Sequence, residues 1–185
     1  MKRIHIVGAK NSGKTTLIVD LVTHLTSLGY RVGTVKHTHH RHELDTPGKD
    51  SHQHREAGAA VVGILSPGMT AVFCPAAADE DVSDRYDRFT GAFADCDIVL
   101  VEGHLQVEGF KIEVWRRAAT REPLAAENDS IAALVTDDLA DFPAADSVSA
   151  PVLKVPVFKR SDLPTLADWI TKVASGEEDA SSACD

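Results

Sequence analysis

The sequence "GAKNSGKT" at residues 8–15 decides the fold class of this chain. It matches the pattern G-x-x-x-x-G-K-[ST], in which a glycine-rich turn surrounds phosphate groups with its backbone N–H groups. It stands directly after a β-rich run, "RIHIV" at residues 3–7, and directly before a run with leucines at helical spacing, residues 14–29. A strand, a glycine-rich turn and a helix in this order predict a nucleotide-binding P-loop.

Each residue type in the motif has a physical role in binding phosphate. Gly8 and Gly13 permit a tight turn and place no Cβ between the backbone and the phosphates. The helix that follows points the positive end of its dipole at the same place. Lys14 is predicted to place its charge on the β- and γ-phosphates, which makes it the predicted catalytic residue, and the Thr15 hydroxyl is predicted to bind Mg²⁺.

The rest of the chain alternates short β-rich runs with helical ones. This alternation predicts an α/β fold of the P-loop NTPase type, with a mainly parallel, doubly wound sheet. Two apolar runs around Pro67-Gly68 predict an added β-strand pair over residues 60–74. Asp50 and Gln53 are spaced as a capping box for a short helix, and "FKIEVWR" at residues 110–116 alternates like a strand with one exposed face. We expect one nucleotide-binding domain over residues 1–174 and a disordered acidic tail over residues 175–185.

Composition excludes several classes of protein. The formal net charge of −9 argues against a broad nucleic-acid-binding surface, which would be basic. No apolar run approaches the ~18 residues of a membrane span, and the first residues predict a strand rather than an export signal. The three cysteines form no CxxC pair, which is typical of a reduced compartment. We therefore expect a cytoplasmic protein that binds neither nucleic acid nor membrane.

A P-loop also requires an acidic residue near Mg²⁺ and a means of recognising the base. Glu102 follows the apolar run of "DIVLVEG", residues 97–103, and is predicted to lie beside the metal. The guanine-binding pattern N-K-x-D is absent from the sequence. "LVTDD", at residues 134–138, instead offers Asp137 and Asp138, either of which could accept the two ring-edge protons of guanine. An equally good interpretation makes this pair a helix N-cap.

Six of the nine histidines lie in "KHTHHRHELDTPGKDSHQH", residues 36–54. Three interpretations compete: a zinc site, a nucleic-acid patch and an anion-binding loop. The zinc site has pairs of histidines but neither cysteine nor HExxH, and the nucleic-acid patch has no aromatic residue to stack on a base. The anion-binding loop is favoured, because Gly48 and Lys49 precede a predicted helix N-terminus. Its predicted residues are His37, His39, His40, Lys49, Asp50 and Ser51.

The motifs "GAKNSGKTTL", "KHTHH", "DTPGKDS", "REAGA" and "LVEG" occur in the order typical of the MobB family, and the chain resembles these adapter proteins of molybdopterin-guanine dinucleotide biosynthesis. The resemblance implies a homodimeric GTP-binding protein with weak GTPase activity, acting in molybdenum cofactor biosynthesis beside the guanylyltransferase that joins GMP to molybdopterin. It leaves open whether molybdopterin binds to this chain.

The resemblance also implies which residues bind GTP and Mg²⁺. The metal residues are Thr15 and Glu102, although a second "VEG" makes Glu108 an alternative to Glu102. Two other functions remain as alternatives: a P-loop small-molecule kinase or ligase, and a histidine-rich metal-binding module. The predicted phosphate-binding residues are Gly8, Lys10, Asn11, Ser12, Gly13, Lys14, Thr15 and Thr16.

Overall fold

The computed structural model describes residues 3–38, 40, 42–76, 80–138 and 153–177, without the side chains of residues 82–84. The chain divides into a larger unit, residues 1–38 and 90–185, and a smaller unit, residues 39–89. In chain order the elements are β1 (Arg3–Val7), α1 (Lys14–Ser27), β2 (Val32–Lys36), α2 (Asp50–Glu56), β3 (Val62–Leu65), β4 (Thr70–Phe73), α3 (Val82–Asp87), β5 (Ile98–Glu102), β6 (Phe110–Val114), β7 (Ile131–Val135), β8 (Val157–Phe158) and α4 (Leu163–Ser175), with a short 3-10 helix at Leu124–Ala126.

A six-stranded sheet forms the centre of the larger unit. Its strand order is β2-β5-β1-β6-β7-β8, and every neighbouring pair is parallel. The carboxyl ends of β5, β1, β6 and β7 therefore meet at one edge of the sheet, where ligands bind in parallel α/β folds. The predicted fold, a mainly parallel P-loop NTPase sheet with an added strand pair, is confirmed.

Both faces of this sheet are covered by apolar side chains. Leucines at one-turn spacing on α1, together with the buried face of α4, pack against Ile4 and Ile6 of β1. On the opposite face, Val7, Trp115 and Leu134 form a second buried cluster. The periodicity of α1 predicts this packing, because residues four apart lie on the same side of a helix.

The predicted exposed face of β6 is wrong. Lys111 and Glu113, the two charged residues of this strand, are only 3% and 1% exposed. β6 lies between β1 and β7, and its register with β1 places Lys111 beside His5 and Glu113 beside Val7, on the face that the second buried cluster covers. The Glu113 carboxylate is satisfied there, because it accepts hydrogen bonds from the backbone N–H groups of Leu124 and Ala125, at 2.9 and 2.8 Å. Burial nevertheless raises the pKa of Glu113.

The smaller unit contains α2, α3 and the antiparallel pair β3–β4. The predicted capping box is wrong, because α2 begins at Asp50 and its N-cap residue is Lys49, which makes no side-chain cap. The Gln53 amide donates to the carbonyl oxygen of Gly48 at 3.1 Å instead. No helix in the described part of the chain is both long and apolar enough to cross a membrane.

Candidate functional site

The loop between β1 and α1 has the backbone form that the glycines predict. Gly8, Asn11 and Gly13 all have positive φ angles, of 135°, 64° and 100°. A Cβ on Gly8 would lie 2.3 Å from the carbonyl oxygen of Val114, so no larger residue fits there. Backbone bent in this way makes a concavity of N–H groups that suits an anion. The buried Ser12 hydroxyl makes no hydrogen bond with any described residue.

Lys14, the first residue of α1, holds its ammonium group inside this loop. Its Nζ donates to the carbonyl oxygens of Gly8, at 3.0 Å, and Ala9, at 2.6 Å. The pKa of Lys14 is lowered, chiefly by burial and also by the charge of Lys36, while Glu102 raises it. The loop thus orients one positive charge toward its own centre.

Thr15 and Glu102 meet beside the loop. The Thr15 hydroxyl donates to Glu102 Oε1 at 2.8 Å, although 87 residues separate the two in sequence. They meet because β5 pairs with β1 and brings Glu102 to the edge from which the loop departs. Glu108 lies in the exposed segment before β6, where its charge acts on Lys111. A hydroxyl and a carboxylate oxygen are ligands that Mg²⁺ favours.

These residues line a cleft of about 450 Å³ at the carboxyl edge of the sheet. The sequence predictions missed one lining residue, Arg116, which lies two residues beyond the end of β6. Its position after a β-strand is the signal that could have identified it. The lining residues are Lys10, Asn11, Gly13, Lys14, Thr15, Thr16, Glu102 and Arg116.

Two other clefts of similar size lie at the amino ends of the strands. One, of about 450 Å³, includes Asp97, Asp168 and Lys172, and the other, of about 420 Å³, includes Asp129 and Lys154. Neither contains a glycine-rich loop at a helix N-terminus. The chemistry of the lining therefore favours the P-loop cleft as the functional site.

Asp137 and Asp138 follow β7 and serve as hydrogen-bond acceptors in the larger unit. Asp137 Oδ1 accepts from the backbone N–H and the hydroxyl of Ser161, at 3.0 and 3.1 Å. Asp138 Oδ2 accepts from the backbone N–H of Arg117 at 2.9 Å. Each aspartate thus connects two loops at the carboxyl edge of the sheet.

The predicted anion-loop residues are divided between the two units. His37 belongs to the larger unit and stacks on His104, with ring centroids 4.0 Å apart. His40 belongs to the smaller unit, where it contacts the ring of His42 edge-on. His39 lies outside the described residues.

Asp45, five residues before α2 begins, is an acid that the anion-loop interpretation did not consider. The buried carboxylate of Asp45 accepts hydrogen bonds from the Ser51 hydroxyl, at 2.9 Å, and from the Thr46 N–H, at 2.8 Å. Lys49 and Asp50 are exposed. A negative charge held this close to the helix start opposes binding of a second anion there.

Comparison with known proteins identifies the family. The model of the family "Molybdopterin guanine dinucleotide synthesis protein B", MobB, matches residues 3–137. The molybdopterin-guanine dinucleotide biosynthesis adapter protein of Escherichia coli is 36% identical over 112 residues, which cover 60% of this chain and 64% of that protein. The adapter protein of Haemophilus influenzae is 33% identical over 136 residues, 71% of this chain and 72% of that protein.

A solved structure supports the same assignment. The crystal structure of a molybdopterin-guanine biosynthesis protein B is 26% identical, with a TM-score of 0.64 over 94% of this chain and 99% of that one. The family match covers most of the larger unit and all of the smaller one. The chain belongs to the MobB family.

Proposed function

We propose that this chain is a GTP-binding adapter in molybdopterin-guanine dinucleotide biosynthesis, with weak GTPase activity at most. The observation that supports this most strongly is the P-loop cleft, in which Lys14 and the Thr15–Glu102 pair converge on a loop of N–H groups. Family membership and the adapter function of the relatives supply the pathway.

The residues of the cleft fit a nucleotide triphosphate with Mg²⁺. The buried Ser12 hydroxyl, without a described partner, and the positive φ angles of Gly8 and Gly13 suit phosphate oxygens. Thr15 and Glu102 would hold the metal, which neutralises phosphate charge when bound. Glu102 is the one carboxylate among the eight described lining residues, and it already accepts a hydrogen bond from the Thr15 hydroxyl. The described lining of the cleft therefore offers no second acid to activate water, which suits slow hydrolysis.

We further propose that Asp137 or Asp138 recognises guanine, and that the chain works as a cytoplasmic homodimer beside the guanylyltransferase of the pathway. The two aspartates follow β7, which lies two strands from β1, the strand that leads into the P-loop. One carboxylate oxygen of each aspartate accepts a hydrogen bond from a neighbouring loop. Nucleotidyl transfer itself would be performed by the partner enzyme.

The two alternative functions receive less support. Among the described residues, no group of three histidine, cysteine or acidic side chains is placed to hold a metal ion. The comparisons identify adapter proteins rather than small-molecule kinases or ligases. Both observations favour the GTP-binding adapter.

The proposed function is tested by titrating the protein with GTP, GDP and ATP in the presence of Mg²⁺. We expect GTP to bind more tightly than ATP. Lys14→Ala should weaken GTP binding by about 1.5–3 kcal/mol, the range for a hydrogen bond to a charged group. That corresponds to a loss of at least about tenfold in affinity.

Lys159→Ala is the matched control, since it removes an equally charged but exposed lysine that does not line the cleft. It should leave GTP affinity unchanged. Unaltered GTP binding by a folded Lys14→Ala variant would contradict the assignment of the P-loop as the nucleotide site.

A further inference from the structure

The Arg116 guanidinium lies against the phosphate-binding loop. A Cβ placed on Gly13 would be 3.5 Å from both Cζ and Nη2 of Arg116, and 3.6 Å from its Nε. The Arg116 side chain is exposed to the cleft and makes no hydrogen bond or ion pair with the residues that the structure describes. An unpaired guanidinium beside a loop of N–H groups adds a second positive charge to that of Lys14.

The backbone at Arg116 is held in place although its side chain is not. Its carbonyl oxygen accepts from the N–H groups of Ala119, at 2.9 Å, and Thr120, at 3.2 Å. The next residue, Arg117, donates its N–H to Asp138. These bonds anchor the turn after β6, so little backbone ordering would be needed for Arg116 to bind a ligand.

The strand order indicates which part of a nucleotide Arg116 would meet. Thr15 and Glu102, the residues that would hold Mg²⁺, lie on the β5 side of the loop, where the metal would neutralise the charge of the terminal phosphates. Arg116 lies on the opposite, β6 side. Beyond it, at the end of β7, are the aspartates proposed to recognise guanine. Arg116 thus stands between the metal side and the base side, where the α-phosphate joins the two parts of the nucleotide.

We propose that Arg116 binds the α-phosphate of the nucleotide. This inference rests on the proposed nucleotide-binding function and adds to it a specific contact. A guanidinium can donate two parallel hydrogen bonds to a phosphate, which suits a group that must be positioned as well as neutralised. Arg116 is then a binding residue for GTP and GDP alike, and does not distinguish the two.

The test compares wild-type protein with Arg116→Ala for GMP, GDP and GTP, each measured by displacement of a fluorescent GDP analogue. Because all three nucleotides contain an α-phosphate, Arg116→Ala should weaken each by about the same factor, on the order of tenfold. Arg121→Ala is the matched control. It removes another exposed guanidinium from the same loop, and Arg121 does not line the cleft. It should change none of the three affinities.

Each outcome decides the proposal. A loss of affinity for GTP alone would place the contact at the γ-phosphate. A loss for GTP and GDP, but not for GMP, would place it at the β-phosphate. Either result would overturn the assignment. If Arg116→Ala leaves all three affinities unchanged while Lys14→Ala weakens GTP binding, the α-phosphate assignment is overturned and the proposed function remains intact. A wild-type protein that binds none of the three would overturn both. Thermal unfolding of each variant controls for loss of the fold.

Discussion

His5 lies in β1 with no exposed surface, although it is a titratable residue in the centre of a sheet. Its Nδ1 is 3.3 Å from the carbonyl oxygen of Gly103. Burial lowers the pKa of His5 to about 4, and the neighbouring charges of His104, Arg3 and Lys111 act in the same direction, while the hydrogen bond to Gly103 opposes them. The folded protein therefore keeps His5 neutral where an unfolded chain would protonate it.

This difference makes the stability of the fold dependent on pH. Between pH 6.5 and about 4 the unfolded chain binds a proton at His5 that the folded chain does not, so acid favours unfolding. At about 1.4 kcal/mol for each pKa unit, the free energy of unfolding should fall by up to about 3 kcal/mol across this range. Urea unfolding of the wild type and of His5→Gln at pH 7, 5.5 and 4 measures the effect.

The variant His5→Gln should lack this part of the pH dependence. The pKa of Glu43 is lowered chiefly by its hydrogen bond with Arg55, and the pKa of Glu113 is raised by burial, but both carboxyl groups are present in both proteins and so cancel in the comparison. Parallel curves for wild type and His5→Gln would show that His5 does not titrate as the structure indicates.

At the scale of elements, the close contact between the P-loop and the end of β6 permits only glycine at position 8. Gly8→Ala would combine a positive φ angle with a Cβ 2.3 Å from the Val114 carbonyl oxygen. We expect backbone strain of roughly 1–3 kcal/mol, plus a similar cost for forcing the Cβ into occupied space. Chemical denaturation of the variant gives the loss in free energy of unfolding, and the nucleotide titration shows whether the loop still binds.

Gly29→Ala is the matched control for this prediction. Gly29 also has a positive φ, of 93°, but a Cβ there would meet nothing within 4 Å. The Gly29→Ala variant should therefore lose only the stability that backbone strain costs, because its Cβ meets no neighbour. Its nucleotide affinity should not change. Equal destabilisation by the two substitutions would mean that the contact between Gly8 and β6 has no energetic consequence.

The elements also show which local patterns are sufficient to predict structure. α1 and α4 each have a buried apolar face, and α4 has a capping aspartate, Asp162, so both helices follow from the sequence. α2 has no buried residue, and its predicted capping box does not form. Because α2 has no buried side, no packing against a core fixes where the helix begins. Its position depends instead on contacts such as the hydrogen bond from Gln53 to Gly48.

At the scale of the whole molecule, the strand pair β3–β4 exposes an apolar face. Leu65 and Val72 are 86% and 59% exposed, whereas Val62 on the other face is buried. The alternation of side chains places Val72 and its partner Gly63 on the exposed side. An apolar surface of this kind is typical of a protein–protein interface. It supports the proposed homodimer.

We therefore expect light scattering at micromolar concentration to give a dimer, and Val72→Asp to give a monomer, because a carboxylate would be desolvated in the interface. Val19→Asp is the matched control, since Val19 is equally exposed, at 57%, but lies on α1. A monomeric wild-type protein, or a Val72→Asp variant that stays dimeric, would contradict the use of this face.

The local sequence by itself determined the P-loop, because backbone conformation at glycines and the start of a helix depend on neighbouring residues. It also determined the fold class, since apolar periodicity reports which sides of the elements are buried. Only the tertiary structure brought Glu102 rather than Glu108 to Thr15, placed Arg116 against Gly13 and buried Lys111 and Glu113. These contacts depend on the order of strands in the sheet, where β1 pairs with β5 on one side and β6 on the other. Strand order joins residues about a hundred positions apart, which no local pattern encodes.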